Sequence, residues 1–157
     1  MLNIFFFLTG LLVVVADQLS KAWIKVNLPG GESVPAEGLF RLTHVHNTGA
    51  AFGLFQGQLF SLTIVALIGI IVVLLFALFY YRRFPFLDSK LVKPSLGLIL
   101  GGAVGNLIDR LRLGYVTDFI DIGIWPAFNI ADSAIVVGVV IFAYLFIFAK
   151  AKNHGSS

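Results

Sequence analysis

Gly105–Ser133, GNLIDRLRLGYVTDFIDIGIWPAFNIADS, is the stretch on which the reading of this chain turns. It holds four of the six Asp residues, together with Arg110 and Arg112, between two strongly apolar segments. Polar and charged groups are costly to place beside hydrocarbon, so their concentration at such a junction points to chemistry. We read the stretch as the main part of an active site at a membrane face, with Asp118 and Asp132 as its working pair.

The flanks support a membrane setting. The chain of 157 residues is 59% hydrophobic and only 12% charged, whereas soluble domains carry about 25% charged residues. A chain this short still needs a polar surface in water, so an unusually apolar soluble core does not explain the deficit. Four apolar runs predict helices over 3–26, 59–81, 91–110 and 128–149, each close to the ~20 residues a bilayer crossing needs. The first run has no basic residue before it and no small-x-small site after it, which favours a retained helix over a signal peptide. Residues 27–58 differ in kind. Pro29, Gly30, Gly31 and Pro35 punctuate them, and Leu39–His46 reads as short strand structure bounded by turns. The expected fold class is an all-α membrane protein of four helices with a small β-strand segment within 27–58, in a single domain over 1–157.

Six of the eleven Lys and Arg lie in the loop after the second span and the tail after the fourth. The positive-inside bias places both of these, and the N-terminus, in the cytoplasm. Seven of the eight acidic residues then gather at the outer face, Asp88 being the exception. Clustered there are Asp17, Lys21, Asn47, Asn106, Asp109, Arg110, Asp118, Asn129 and Asp132. Basic residues at the ends of apolar runs, rather than in a stripe, argue against nucleic-acid binding. The absence of Cys excludes disulfides, thiol catalysis and Cys-ligated metal.

Each polar group also has a plainer explanation. Asp17 and Lys21, four apart in acid-before-base order, suit a local ion pair. Asn129 and Asp132 suit a helix cap after Pro126. Asp109 and Arg110 suit a packing ion pair, and Thr117–Asp121 a solvated loop. His44 and His46 share a strand face but lack a third ligand, so no metal is expected. Gly97, Gly101 and Gly105 form a stripe that lets another helix approach closely, expected to bring the Asn106 face toward the fourth helix. The constellation, rather than any one member, favours chemistry. Two neighbouring carboxyls resist joint ionisation and share a proton, so one can activate water while the other donates to a carbonyl oxygen. That suits peptide hydrolysis without a cofactor. The competing expectation is a small proton- or ion-coupled transporter, which would spread polar groups through the bilayer depth.

Five segments carry a family resemblance: Asp17-Gln18-Leu19-Ser20-Lys21, Asn47–Gly53, Gly105–Arg110, Val116–Asp121 and Phe128–Ser133. In this order across four spans, the chain resembles the lipoprotein signal peptidases, the type II signal peptidases of bacteria. The resemblance implies an aspartic endopeptidase of the bacterial inner membrane with Asp118 and Asp132 as catalytic dyad. Its substrates would be prolipoproteins, cut just before the diacylglyceryl-modified cysteine of the lipobox, within a bed of membrane lipids. Asn47 and Arg110 would contact substrate or globomycin-type inhibitors. Asp17, Lys21, Asn106, Asp109 and Asn129 would support the site, residues 27–58 would form a small extracytoplasmic β-strand cradle beside it, and the enzyme would work as a monomer.

Overall fold

The computed structural model describes residues 2–49, 55–80, 83–84 and 89–154, with side chains from 4 to 148 within those ranges. Its elements are α1 (Leu2–Asn27), β1 (Ser33–Val34), β2 (Arg41–Asn47), α2 (Leu59–Leu75), α3 (Val92–Leu113), β3 (Val116–Asp121) and α4 (Ile130–His154). Four helices with a small sheet are the architecture expected from the apolar runs. Residues 50–53 of the Asn47–Gly53 motif, Tyr81, Arg82 and Asp88 lie outside the described residues.

Three helical stretches are long and apolar enough to cross a membrane: Ile4–Asn27, Leu59–Tyr80 and Ile130–Phe148. The remaining helix, α3, carries Lys93, Asp109, Arg110 and Arg112 and is the central one, packed against α1, α2 and α4. Its polar residues are tolerated at this depth because neighbouring helices, not lipid, surround most of them. Close approach is set by glycine. A Cβ on Gly97 or Gly101 would sit 2.5 Å from the carbonyl oxygen of Phe6 or Gly10, and one on Gly105 would sit 2.7 Å from Asp17 Oδ2. The stripe itself therefore seats α3 on α1, while the Asn106 face meets the fourth helix as expected, Asn106 donating to Asp132 of α4. The approach to α4 uses Gly102, against the Ala131 carbonyl, and Gly138, where a Cβ would sit 2.7 Å from Ser95 O.

The two ends of the bundle differ. Phe6, Ala77, Val92, Leu96 and Leu100 make a buried apolar cluster at the end near the α2–α3 junction. There α2 widens into a π-turn over Phe76–Tyr80, and the buried Lys93 ammonium donates to the Ala77 carbonyl while lying 5.8 Å from the Phe6 ring centre. A π-turn frees carbonyl groups from the regular ladder, which gives this ammonium an acceptor. The opposite end carries the polar network and the sheet.

The sheet has the order β1-β2-β3, antiparallel throughout. Its third strand is a correction: Thr117–Asp121 is not a solvated loop but pairs with β2, Arg41 opposite Asp121 and Asn47 opposite Val116. Val116, Thr117, Asp118 and Phe119 are all buried, so both faces of the strand are covered over its first four residues. Gly114, at φ 79°, ends α3 in the left-handed conformation and turns the chain into β3.

Candidate active site

The site grows from three helix ends and two strands. On α1, Asp17 and Lys21 are both fully buried, with Lys21 Nζ 2.8 Å from Asp17 Oδ2. A buried ion pair needs further partners to offset its desolvation. Here Lys21 also reaches Asp109 Oδ2 at 3.3 Å and donates to Asn106 Oδ1 at 2.9 Å. Asp17 Oδ1 accepts the Ala131 backbone N–H at 3.0 Å, which ties α1 to the first turn of α4. The local ion pair expected from spacing is present, and it is also the bracket joining three helices.

Asp109 corrects the expected pairing with Arg110. Consecutive helical residues point about 100° apart, so Asp109 faces Lys21 and accepts the Thr117 N–H at 3.0 Å, while Arg110 faces the cavity. Arg110 donates to the Asn106 carbonyl at 3.4 Å. The Asp109–Thr117 bond pins β3 to α3 one residue before Asp118.

Asn106 and Asn129 organise the two candidate carboxyls. Asn106 Oδ1 accepts from Lys21 and, at 3.1 Å, from Asn129, so its amide is oriented with Nδ2 toward Asp132 Oδ1, 2.7 Å away. Asn129 and Asp132 form a reciprocal cap at the start of α4: Asp132 N–H donates to Asn129 Oδ1 at 2.9 Å, and Asn129 N–H donates to Asp132 Oδ2 at 3.2 Å. The expected cap therefore exists. The same Asn129 side chain, fully buried, also donates to Asp118 Oδ1 at 2.7 Å. Asp118 Oδ2 accepts from Asn47 Nδ2 at 2.9 Å, and Asn47 is aimed by its own Oδ1 accepting the Gly49 N–H at 2.9 Å.

Asp118 and Asp132 both line one cavity of about 610 Å³, with Asn47, Asn106, Arg110, Trp125 and residues of the N-terminal part of α4. Burial, and then the charge of Asp132, push the Asp118 carboxyl up to about 7, against the pull of the Asn47 and Asn129 hydrogen bonds and of Lys21. A carboxyl at that value can hold or release a proton near neutrality.

All nine predicted site residues meet in this network. Sequence reasoning passed over Gln18, whose Nε2 reaches Asp17 Oδ2, Asp109 Oδ1 and the Gly105 carbonyl, each at 3.2 Å. Its place beside Asp17 on α1 was the available signal. Asp121, which had no expected role, pairs with Arg41 at the far end of the β2–β3 ladder. The Gly123 N–H, and then Arg41, hold its carboxyl below the usual range. His44 and His46 do meet, Nε2 to Nε2 at 3.2 Å, but His44 Nδ1 bonds the Leu28 carbonyl and His46 stacks on Tyr115. Burial, followed by His44 and Lys25, lowers the His46 pKa.

A family model described as signal peptidase (SPase) II matches residues 9–148. The lipoprotein signal peptidase of Dehalococcoides mccartyi strain BAV1 is 49% identical over 152 residues, covering 97% of this chain and 94% of that one. That of Moorella thermoacetica is 51% identical over 142 residues, covering 88% and 90%. The fold is similar to that of a bacterial membrane enzyme solved by the in meso method at 2.3 Å, with TM-score 0.76 and 32% identity over 96% of this chain and 89% of the other. By sequence, by fold and by the breadth of both matches, the chain belongs to the signal peptidase II family and is a multi-pass membrane peptidase.

Proposed function

We propose that the chain is a single-domain aspartic endopeptidase of the bacterial inner membrane. It removes the signal peptide from prolipoproteins by cutting just before a diacylglyceryl-modified cysteine. Asp118 and Asp132 are the catalytic dyad, and no metal or other cofactor takes part. The observation that carries this reading is the shared cavity: two carboxyls on its wall, both held by Asn129, with Asp118 raised to about 7.

In this mechanism Asp132 enters ionised and Asp118 protonated. Asp132 sits in the first turn of α4, where the helix N-terminus favours negative charge and the Asn106 and Asn129 donors stabilise it. Asp132 takes a proton from water as the water oxygen attacks the scissile carbonyl carbon. Asp118 donates its proton to the carbonyl oxygen, giving a neutral gem-diol. Collapse returns a proton from a diol hydroxyl to Asp118 while Asp132 passes its proton to the departing amine, which restores the starting charges. Lys21 orients Asn106 and lends positive potential without touching the reactants. Arg110 and Asn47, on the cavity wall, hold the substrate backbone or a globomycin-type inhibitor. Both termini are cytoplasmic, and the site opens at the outer face, where a lipid-anchored substrate waits and water is available. The enzyme acts as a monomer on substrates that the membrane lipids present to it.

The transporter reading is not favoured. The site's ionisable and amide groups gather at one end of the bundle, and the α3 segment from Leu96 to Val104 between Lys93 and that end is apolar or glycine. The test compares cleavage of one prolipoprotein with and without its diacylglyceryl group. Strong preference for the lipidated form, blocked by globomycin, is the expected result. Equal rates on both forms would refute the substrate assignment.

A further inference from the structure

The face of the sheet turned away from the cavity carries a pair of side chains that the proposed chemistry does not use. Successive strand residues point to opposite faces. Asn47 lines the cavity, so His46 faces away from it, and His44 meets His46 there with their Nε2 atoms 3.2 Å apart. The tautomer of His44 follows from its other nitrogen. Its Nδ1 lies 2.8 Å from the Leu28 carbonyl oxygen, which only accepts, so in the neutral ring Nδ1 holds the hydrogen and Nε2 presents a lone pair. His46 stacks on Tyr115 with ring centres 4.0 Å apart, which fixes the plane of its ring.

The spacing suits two ligands of one metal ion. Nitrogens each about 2.0–2.1 Å from a tetrahedral ion stand about 3.3–3.4 Å apart, and at a right angle about 2.9 Å apart. The 3.2 Å between these two falls inside that range. A backbone carbonyl on the far ring nitrogen, as Leu28 supplies to His44, is the support that fixes tautomer and orientation in metal-ligating histidines. His44 is buried and His46 exposed, so the pair is anchored on one side and open to entry from water on the other. Among the described residues no third His, Cys, Asp or Glu joins them. Two imidazoles with water in the remaining positions suit copper, nickel or zinc, and not calcium or magnesium, which take oxygen ligands.

We propose that His44 and His46 form a two-histidine site for a divalent transition-metal ion, with copper(II) held most tightly and water completing its coordination. The ion is structural rather than catalytic, because it sits on the face of β2 opposite the cavity. It braces three parts of the fold: the residue after α1 through the Leu28 carbonyl, β2 through both histidines, and the turn from α3 into β3 through Tyr115. In the bound form each ring carries its hydrogen on Nδ1 and gives its Nε2 lone pair to the ion. The site stands whichever residues carry the chemistry, because neither carboxyl of the dyad belongs to it.

The test titrates the full-length protein, in detergent and without an affinity tag, with copper(II) chloride alone. One Cu²⁺ per chain is expected, with paramagnetic resonance showing two imidazole nitrogens on the ion. At about tenfold excess over the dissociation constant, the thermal unfolding midpoint should rise by about 3–6 °C. His46→Phe keeps a ring against Tyr115 and removes one ligand. It should weaken binding by at least the ~10–100-fold that a lost supporting group costs a metal site, and abolish the rise in midpoint. His154→Ala removes the remaining His of the chain and should change neither reading. No binding by the folded, unaltered protein, or binding without a rise in midpoint, would overturn the proposal. Equal binding by a folded His46→Phe protein, or loss of binding on His154→Ala, would also overturn it, since the ion would then lie elsewhere.

Discussion

Asn129→Ser separates the two jobs of one side chain. Serine is as good a helix N-cap as asparagine, so the start of α4 should survive the change. The serine hydroxyl does not reach Asp118, so the 2.7 Å bond to Asp118 Oδ1 is lost. That bond stabilises the ionised carboxyl, and a hydrogen bond to a charged group contributes about 1.5–3 kcal/mol. At about 1.4 kcal/mol per pH unit this equals roughly one to two units, and its loss raises the Asp118 pKa above its value of about 7. In the proposed mechanism Asp118 enters the reaction protonated, so kcat/KM of the unaltered enzyme should fall as pH rises through about 7, and the variant's fall should come roughly one to two units higher. Asn129→Ala should show the same displaced limb together with about 1 kcal/mol less stability, from the lost cap. The assay is the pH profile of kcat/KM on a lipidated prolipoprotein in detergent, with thermal unfolding measured in parallel. An alkaline limb that stays in place, or moves to lower pH, in a folded Asn129→Ser protein would refute the assignment of the proton to Asp118.

Other perturbations follow from the same network. Lys21→Met leaves Asp17 and Asp109 buried without their cation and should cost about 3–5 kcal/mol. Adding Asp17→Asn should recover part of that loss in thermal unfolding. Gly105→Ala forces a Cβ to 2.7 Å from Asp17 Oδ2, an overpacking worth about 1–3 kcal/mol. The control Gly69→Ala, with nothing within 4 Å of the new methyl, should be neutral or stabilising by up to about 1 kcal/mol. Asp118→Asn tests linkage. The Asp118 pKa is raised in the fold, so its proton stabilises the folded state fully below the unfolded value of 3.8, and that contribution is lost as pH rises through about 7. The variant should lack this decline between pH 5 and 8, whatever its stability offset, as read from unfolding midpoints across that range.

Much of this was legible in the sequence because hydrocarbon filters polar residues so strictly. Apolar runs gave four helices to within a few residues, and the acids left over had to collect at one end. Asn129 and Asp132 were legible as a cap because that motif is local. The partner of Asp109 was not, because adjacency in the chain suggested Arg110 whereas helix geometry turns the two apart. Lys21, 88 positions away, fills the role through tertiary packing that the i, i+4 spacing with Asp17 only hints at. The third strand was hidden for a similar reason. Val116–Asp121 carries two Asp among its six residues, and its partner β2 lies beyond two helices in the chain. The glycine stripe announced close approach without naming the helix, because small residues permit contact from whichever neighbour the rest of the bundle supplies.

The central claim is that two carboxyls share the chemistry, and paired substitution tests it most directly. Asp118→Asn and Asp132→Asn, purified and shown to be folded, are assayed for conversion of a lipidated prolipoprotein beside the unaltered enzyme. Both should lose cleavage by about 10²–10⁴-fold or more, the scale of losing an acid or base from the reaction. Turnover near the unaltered rate in either variant would contradict the dyad.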